Sequence, residues 1–216
     1  MAITEAMKFR EMGMGVAGEE AGEGLALVVL AILALAGIEP MLLNSIAVIV
    51  AGIALAVEGA MLSARYAKAL AKAAPQAVDA RALSGGMSSS LVAGLAGIVL
   101  GILAILSIAP ETLIGVALIA FGAAVLFDYM ARVQIRALRM VGEGASGESA
   151  RIAISAASST NTAGVLIAAG LVTLGILVLA HAAPEILASA AFLGLGTYLV
   201  LEGASSSGLL TELAAE

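Results

Sequence analysis

Three acidic residues recur at one position of the sequence and are its strongest candidates for chemistry. Each follows a proline by 18 residues, and the three are Glu58, Asp128 and Glu202. Carboxylates within a bilayer usually face the bundle interior or a water path, where they handle protons or cations. On a helix, however, 18 residues extend about 27 Å, close to the far boundary of a hydrocarbon core about 30 Å thick. Two roles therefore remain open for this acidic column: an ion or proton site, and a structural anchor.

The basic residues near the acidic column differ from one member to the next. Arg132 follows Asp128 by four residues, which is the spacing of an ion pair on a helix. Arg65 is more distant from Glu58, and no basic residue follows Glu202 in the sequence. We therefore expect Glu202 to use an arginine of another repeat or subunit, or to be protonated part of the time.

Other reactive residue types are sparse. His181 is the only histidine and is a candidate pH sensor, with a merely solvated side chain as the alternative. The run 13–18 matches the dinucleotide fingerprint, but no predicted strand precedes it and no βαβ unit follows, so we expect no nucleotide binding. The sequence has no cysteine, no metal-ligand cluster and no serine paired with a base. We predict neither an enzyme nor a cofactor.

The composition indicates an integral membrane protein. The 216 residues are 62% hydrophobic and 12% charged, with a mean hydropathy of +1.11, whereas soluble domains are about 25% charged. The net charge of -6 offers no basic surface for phosphates, which argues against nucleic-acid binding. The lipid bilayer is the expected partner.

Six apolar runs are the elements that would position these residues. They are Gly24–Ile38, Met41–Val57, Leu91–Ala109, Leu113–Phe127, Ala163–Ala180 and Ile186–Leu201. Pro40, Pro110 and Pro184 each separate two of these runs and stand beside a glutamate. Proline suits the first position of a helix and an acid suits its N-terminus, so the prolines predict three tight turns between six transmembrane helices.

The basic residues predict the orientation of the chain. All ten lie away from the proline turns, at Lys8, Arg10, Arg65, Lys68, Lys72, Arg81, Arg132, Arg136, Arg139 and Arg151. By the positive-inside rule, the turns face outward, both termini are cytoplasmic, and the location is the inner (cytoplasmic) membrane. The helical extensions after the second and fourth runs are basic and are predicted to lie on anionic headgroups or to dock a partner.

Superimposing the three prolines aligns 36 residues of each hairpin without a gap. Seven columns are identical in all three copies, which indicates an internal repeat. The fold class predicted is therefore all-α, with three parallel-repeat helical hairpins in pseudo-threefold arrangement. Small residues allow membrane helices to approach closely. The glycines predicted to do so are Gly52, Gly97, Gly101, Gly122 and Gly196.

This organisation divides the chain into seven segments. Residues 1–23 form a cytoplasmic N-terminal segment, whose four methionines suit a protein contact, and 205–216 form the C-terminal tail. The hairpins occupy 24–64, 91–131 and 163–204, and basic cytoplasmic connections occupy 65–90 and 132–162.

Two runs of the sequence resemble a known family. GILAILSIAPETL (101–113) and GILVLAHAAPEIL (175–187) are similar to the short hydrophobic repeat of the HdeD acid-resistance membrane proteins. The resemblance implies a six-span inner-membrane protein, associated in some members with acid stress and without an enzymatic activity. The family's repeats are richer in aromatic residues than this chain, which has no tryptophan.

Three hypotheses follow for the function. The first is a non-enzymatic, HdeD-like membrane protein with a structural or stress-related role, acting as a homo-oligomer. The second is a small proton or cation channel or transporter that uses the acidic column. The third is an accessory subunit of a larger membrane complex. The near absence of amide side chains within the predicted spans argues against transport, since Asn44 is the only one.

Overall fold

Six helices in the described part of the chain follow the predicted apolar runs. A computed structural model describes residues 22–73, 89–142 and 164–212, with side chains at 22–61, 89–127 and 164–203. The helices are α1 (Gly22–Leu35), α2 (Pro40–Ala73), α3 (Ser89–Ile105), α4 (Pro110–Gly142), α5 (Gly164–Leu179) and α6 (Pro184–Glu212). These described residues contain no strand, which confirms the all-α prediction.

Helix length separates the helices into two groups. Apolar stretches of 18 to 22 residues in α2, α4 and α6 are long enough to cross a membrane, namely Pro40–Met61, Pro110–Phe127 and Pro184–Gly203. Helices α1, α3 and α5 are shorter apolar helices of 10–17 residues. Within the described residues, three helices therefore have the length and composition of membrane spans, as expected of a membrane protein.

The second helix of each pair begins at the proline for which the sequence predicts a turn. Proline lacks an N–H and has a fixed φ near -65°, so the first helical position costs it no hydrogen bond. The backbone N–H of Leu43, Leu113 and Leu187 donates to the carbonyl oxygen of the residue before each proline, at 3.0–3.1 Å. The three helices thus begin with the same hydrogen bond.

The first helix of each pair ends in a Schellman motif. In the first turn, the N–H of Ile38 donates to Leu33 O at 3.2 Å and that of Gly37 to Ala34 O at 3.0 Å. The corresponding bonds of the other turns have the same lengths, from Ile108 and Ser107 and from Ala182 and His181. This motif requires a positive φ at its penultimate residue, and φ is +83° at Gly37, +62° at Ser107 and +59° at His181.

Helices α2, α4 and α6 contact one another and carry most of the core. Their buried residues recur at the same distances from each proline. Four residues after the proline lie Asn44, Ile114 and Ala188; seven after it, Ala47, Ala117 and Ala191; eight after it, Val48, Leu118 and Phe192; and eleven after it, Ala51, Phe121 and Leu195. Spacings of three and four residues define one face of a helix, so equivalent faces of the three helices are buried.

Candidate functional site

Small residues bring neighbouring pairs of helices into backbone contact. A Cβ added to Gly52 of α2 would lie 2.7 Å from the carbonyl oxygen of Gly94 in α3. A Cβ on Gly122 of α4 would lie 2.7 Å from Ala168 O in α5, and one on Gly196 of α6 would lie 2.8 Å from Gly24 O in α1. Real Cβ atoms do not approach backbone atoms this closely, so each of the three glycines is required at its contact.

These contacts connect the helices in a closed order. Helix α2 packs on α3, α4 on α5, and α6 returns to α1. The other two predicted packing glycines lie in α3: Gly101 faces Ile49 and Ser45 O of α2, whereas Gly97 contacts the ring of Phe121. Four further glycines make similarly close contacts that were not predicted from the sequence: Gly24, Gly94, Gly115 and Gly175. The signal available for them was the spacing of glycines by four or seven residues.

The acidic column lies at the far end of the helices from the turns. The helices of each contact run antiparallel: Gly94 lies between Gly52 and Ala56, and continuing that register places Glu58 level with Ser90, in the first turn of α3. Glu58 and Ser90 each take part in polar interactions, and Glu58 is half-buried while Ser90 is buried. A carboxylate at this level lies beside the free N–H groups and positive end of a helix.

The same register holds for the other two acidic residues. Glu202, which is half-buried and takes part in a polar interaction, lies at the N-terminal end of α1 because Gly196 contacts Gly24. The backbone of Asp128 in α4 lies level with Gly164, the first described residue of α5, although its side chain is outside the described residues. Each acidic residue is thus placed at the start of the next pair's first helix.

A polar network closes the turn end of the interface between α2 and α6. Asn44 is 1% exposed, and its Nδ2 donates to the carbonyl oxygen of Glu185 at 3.1 Å. The Ser189 hydroxyl lies 3.0 Å from Asn44 Oδ1 and 2.8 Å from the same Glu185 oxygen, so its one proton is shared between two acceptors. Asn44 stands out in the sequence as an isolated amide, but no sequence pattern identifies Ser189 as its partner.

A small cavity opens beside this network at the turn end of α2, α4 and α6. Its lining comprises Met41, Asn44, Glu111, Ile114, Val178, Pro184, Glu185 and Ala188. This cavity is large enough for at most about one water molecule.

Below the cavity the shared interface of α2, α4 and α6 is apolar. Phe121, Phe192, Leu118 and Leu195 are fully buried there. Among the residues whose side chains are described, the buried polar ones are Asn44, Ser45, Ser90 and Ser189, and none is ionisable. The described part of the chain contains no group of three histidine, cysteine or acidic residues placed to hold a metal. The part of this interface whose side chains the structure describes is therefore lined mainly by apolar residues.

His181 lies in the third turn, at the opposite end of the structure from the acidic column. Its ring is 67% exposed, and Nδ1 lies 3.8 Å from Glu111 Oε2, whose side chain is 40% exposed. The pair links the third turn to the start of α4. An exposed contact of this kind contributes at most about 1 kcal/mol to stability.

Comparison of the chain with protein-family models, curated proteins and solved structures gave no match. The fingerprint-like run 13–18 and residues 1–21 of the N-terminal segment lie outside the described residues.

Proposed function

We propose that the chain is a six-span membrane protein in which three parallel hairpins form a closed, pseudo-threefold ring with a structural, non-enzymatic role. The observation that carries this proposal is the cyclic order of backbone contacts, α2 on α3, α4 on α5 and α6 on α1, each made at the aligned glycine column. Equivalent burial and equivalent turns support the repeat. The apolar interface of α2, α4 and α6 favours a structural role rather than ion conduction.

Within this proposal the acidic column anchors the ring. Glu58 and Glu202 lie at the start of a neighbouring helix, and the backbone of Asp128 lies level with the start of another. A negative charge at a helix start stabilises the helix by about 0.3–1 kcal/mol, and by up to about 2 kcal/mol when partly buried. The acidic column would thereby stabilise each pair of glycine-contacting helices at the end that lies near the membrane boundary. The sequence resemblance to HdeD proteins leads us to propose a stress-related setting, which includes acid stress.

The proposed membrane topology has outward turns, cytoplasmic termini and an inner-membrane location. The ten basic residues support it through the positive-inside rule. Because the chain has no cysteine, single cysteines report each side without a background. We expect Ser107→Cys at the second turn to react with a membrane-impermeant maleimide in intact cells, and Ser205→Cys near the C-terminus to react only after lysis. Reaction of both cysteines on the same side would exclude a six-span chain.

Helices α1, α3 and α5 are short for membrane spans. At 1.5 Å per residue, the 17 residues of α3 extend about 26 Å, less than a hydrocarbon core of about 30 Å. Short spans are accommodated by bilayer thinning or by oligomerisation, and we propose a homo-oligomer. Its mass in detergent, measured by light scattering, tests this, and a particle of one chain would contradict it.

A flux measurement separates the anchor role from the channel alternative. We compare proton and monovalent-cation flux into liposomes for the wild type and for the triple variant Glu58→Gln, Asp128→Asn, Glu202→Gln. We expect no flux from either protein and a lower melting temperature for the variant. Flux that the folded variant loses would instead establish the acidic column as a conduction site.

Co-purification of a partner protein in stoichiometric amount from native membranes would favour the third role, an accessory subunit of a larger complex.

A further inference from the structure

Two of the three long helices carry a basic stripe just beyond their apolar span. Helix α2 continues from its span, Pro40–Met61, to Ala73, and α4 continues from Pro110–Phe127 to Gly142. The bases on these extensions are Arg65, Lys68 and Lys72 on α2 and Arg132, Arg136 and Arg139 on α4. Their spacings of three, four and seven residues are those of positions that share one side of a helix.

The first base of each stripe lies at the depth of the headgroup layer of one leaflet, and the other two bases follow farther along the helix. At 1.5 Å per residue, Arg132 lies about 33 Å along the axis from Pro110, and Arg65 about 37 Å from Pro40. A hydrocarbon core about 30 Å thick that begins at the prolines is followed by a headgroup layer of roughly 5–7 Å. The first base of each stripe therefore lies at the level of the headgroups.

The third corner of the ring has the opposite charge. Helix α6 extends from its span, Pro184–Gly203, to Glu212 without a basic residue. The contact of Gly196 with Gly24 brings the start of α1, with Glu23, beside Glu202 of α6, and both acids are half-buried. Among the described residues, a second acid, Glu23, thus lies beside Glu202 at this corner, and the extension of α6 has no base.

We infer that the α2 and α4 corners each bind the headgroup of an anionic phospholipid and that the α6 corner does not. A base near an anionic surface strengthens binding by about fivefold, and the three bases of each stripe outnumber the single carboxylate of their corner. The inference rests on the six-span ring proposed above, and it gives the ring two lipid-binding corners in one leaflet.

Native mass spectrometry of the purified chain in detergent tests the inference without depending on membrane orientation. The chain is titrated with phosphatidylglycerol or with phosphatidylcholine of the same acyl chains. We expect two phosphatidylglycerols to be retained per chain and phosphatidylcholine to bind at least about fivefold more weakly. Equal retention of the two lipids overturns the inference.

Charge-neutral variants locate the lipids. We expect one of the two lipids to be lost from the triple variant Arg65→Gln, Lys68→Gln, Lys72→Gln. We expect the other lipid to be lost from the triple variant Arg132→Gln, Arg136→Gln, Arg139→Gln. Lys8→Gln, Arg10→Gln, Arg151→Gln removes the same number of charges elsewhere and is expected to keep both. Lipid loss from this control, or retention by the variant lacking all six bases, overturns the inference.

Three more measurements separate a lipid site from misfolding, from a simple anion site and from a protein contact. The double variant Arg65→Lys, Arg132→Lys keeps the charge and is expected to keep both lipids. Loss of lipid from this variant would refute a charge-based site. Loss of lipid from the glutamine variants together with a lowered melting temperature would indicate misfolding and would also refute it. Displacement of the lipid by an equal concentration of glycerol phosphate would show a simple anion site and overturn the lipid assignment. A protein that co-purifies with the wild type and not with the six-base variant would assign the stripes to that protein instead. Failure of the ring proposal would appear in the maleimide reaction, which lipid retention does not affect.

Discussion

Gly196→Ala tests whether backbone contact between α6 and α1 holds the ring closed. The added Cβ would meet Gly24 O at 2.8 Å and Leu27 Cβ and Val28 N at 2.9 Å. Ordinary contact begins near 3.4 Å, so α6 and α1 would have to separate by at least about 0.5 Å. Two of the three obstructing atoms belong to the backbone of α1, and changing a side-chain rotamer cannot move them.

The matched control lies two residues earlier in the same helix. A Cβ at Gly194 would meet only Ile167 Cδ1, at 3.8 Å, which is ordinary contact. Both substitutions gain the same helix propensity, about 0.8–1 kcal/mol for alanine over glycine. The difference between the two variants therefore isolates the packing cost, which we place at about 1–3 kcal/mol from measured overpacking of cores.

The assay is the free energy of unfolding in mixed micelles, followed by circular dichroism. We expect Gly194→Ala to be equal to the wild type or more stable, and Gly196→Ala to be less stable than Gly194→Ala by about 1–3 kcal/mol. Gly52→Ala, at the α2–α3 contact, should behave like Gly196→Ala. Stabilities of Gly194→Ala and Gly196→Ala within about 0.5 kcal/mol of each other would refute the claim that α6 closes on α1 through this glycine.

Three further predictions concern the polar network, the turns and the core. A double-mutant cycle with Asn44→Ala and Ser189→Ala should give a coupling of about 0.6 kcal/mol, the average for interhelical hydrogen bonds in membranes, and a coupling of zero would show that the two side chains act independently. Ser107→Gly should raise the unfolding free energy by about 0.5–1 kcal/mol, because glycine adopts φ of +62° without strain; a lower melting temperature would contradict this. Gly97→Leu and Phe121→Ala should each destabilise by about 3 kcal/mol or more, whereas the double variant, which copies the leucine–alanine pair of the first hairpin, should be less destabilised than either single one by thermal melting.

Much of the fold follows from local signals in the sequence. Pro40, Pro110 and Pro184 predict where the second helices begin, since proline is compatible with a first helical turn and incompatible with an interior. Buried positions follow from the helical period once the repeats are aligned. The positive φ at Ser107 and His181 was not predicted, because only Gly37 among the three turns has the residue type that signals it.

The parts that could not be predicted are those set by contacts between distant segments. No local pattern indicates that Gly196 faces Gly24 and not another glycine. The Asn44–Ser189 bond joins residues in different hairpins at neighbouring positions of the alignment, so comparing identical columns does not reveal it. The packing of the large Phe121 ring against the small Gly97 could not be predicted for the same reason. A small residue indicates such a contact only when its large neighbour is known.

The contact between α6 and α1 also constrains the order in which the protein is made. Helix α1 is made before the other described helices, yet α6, which covers Gly24, is the last of the six to be made. Until α6 is made, the groove around Gly24 and Leu27 lacks the helix that covers it. Nascent chains that end before α6 should therefore be cleaved by quality-control proteases faster than chains that include it.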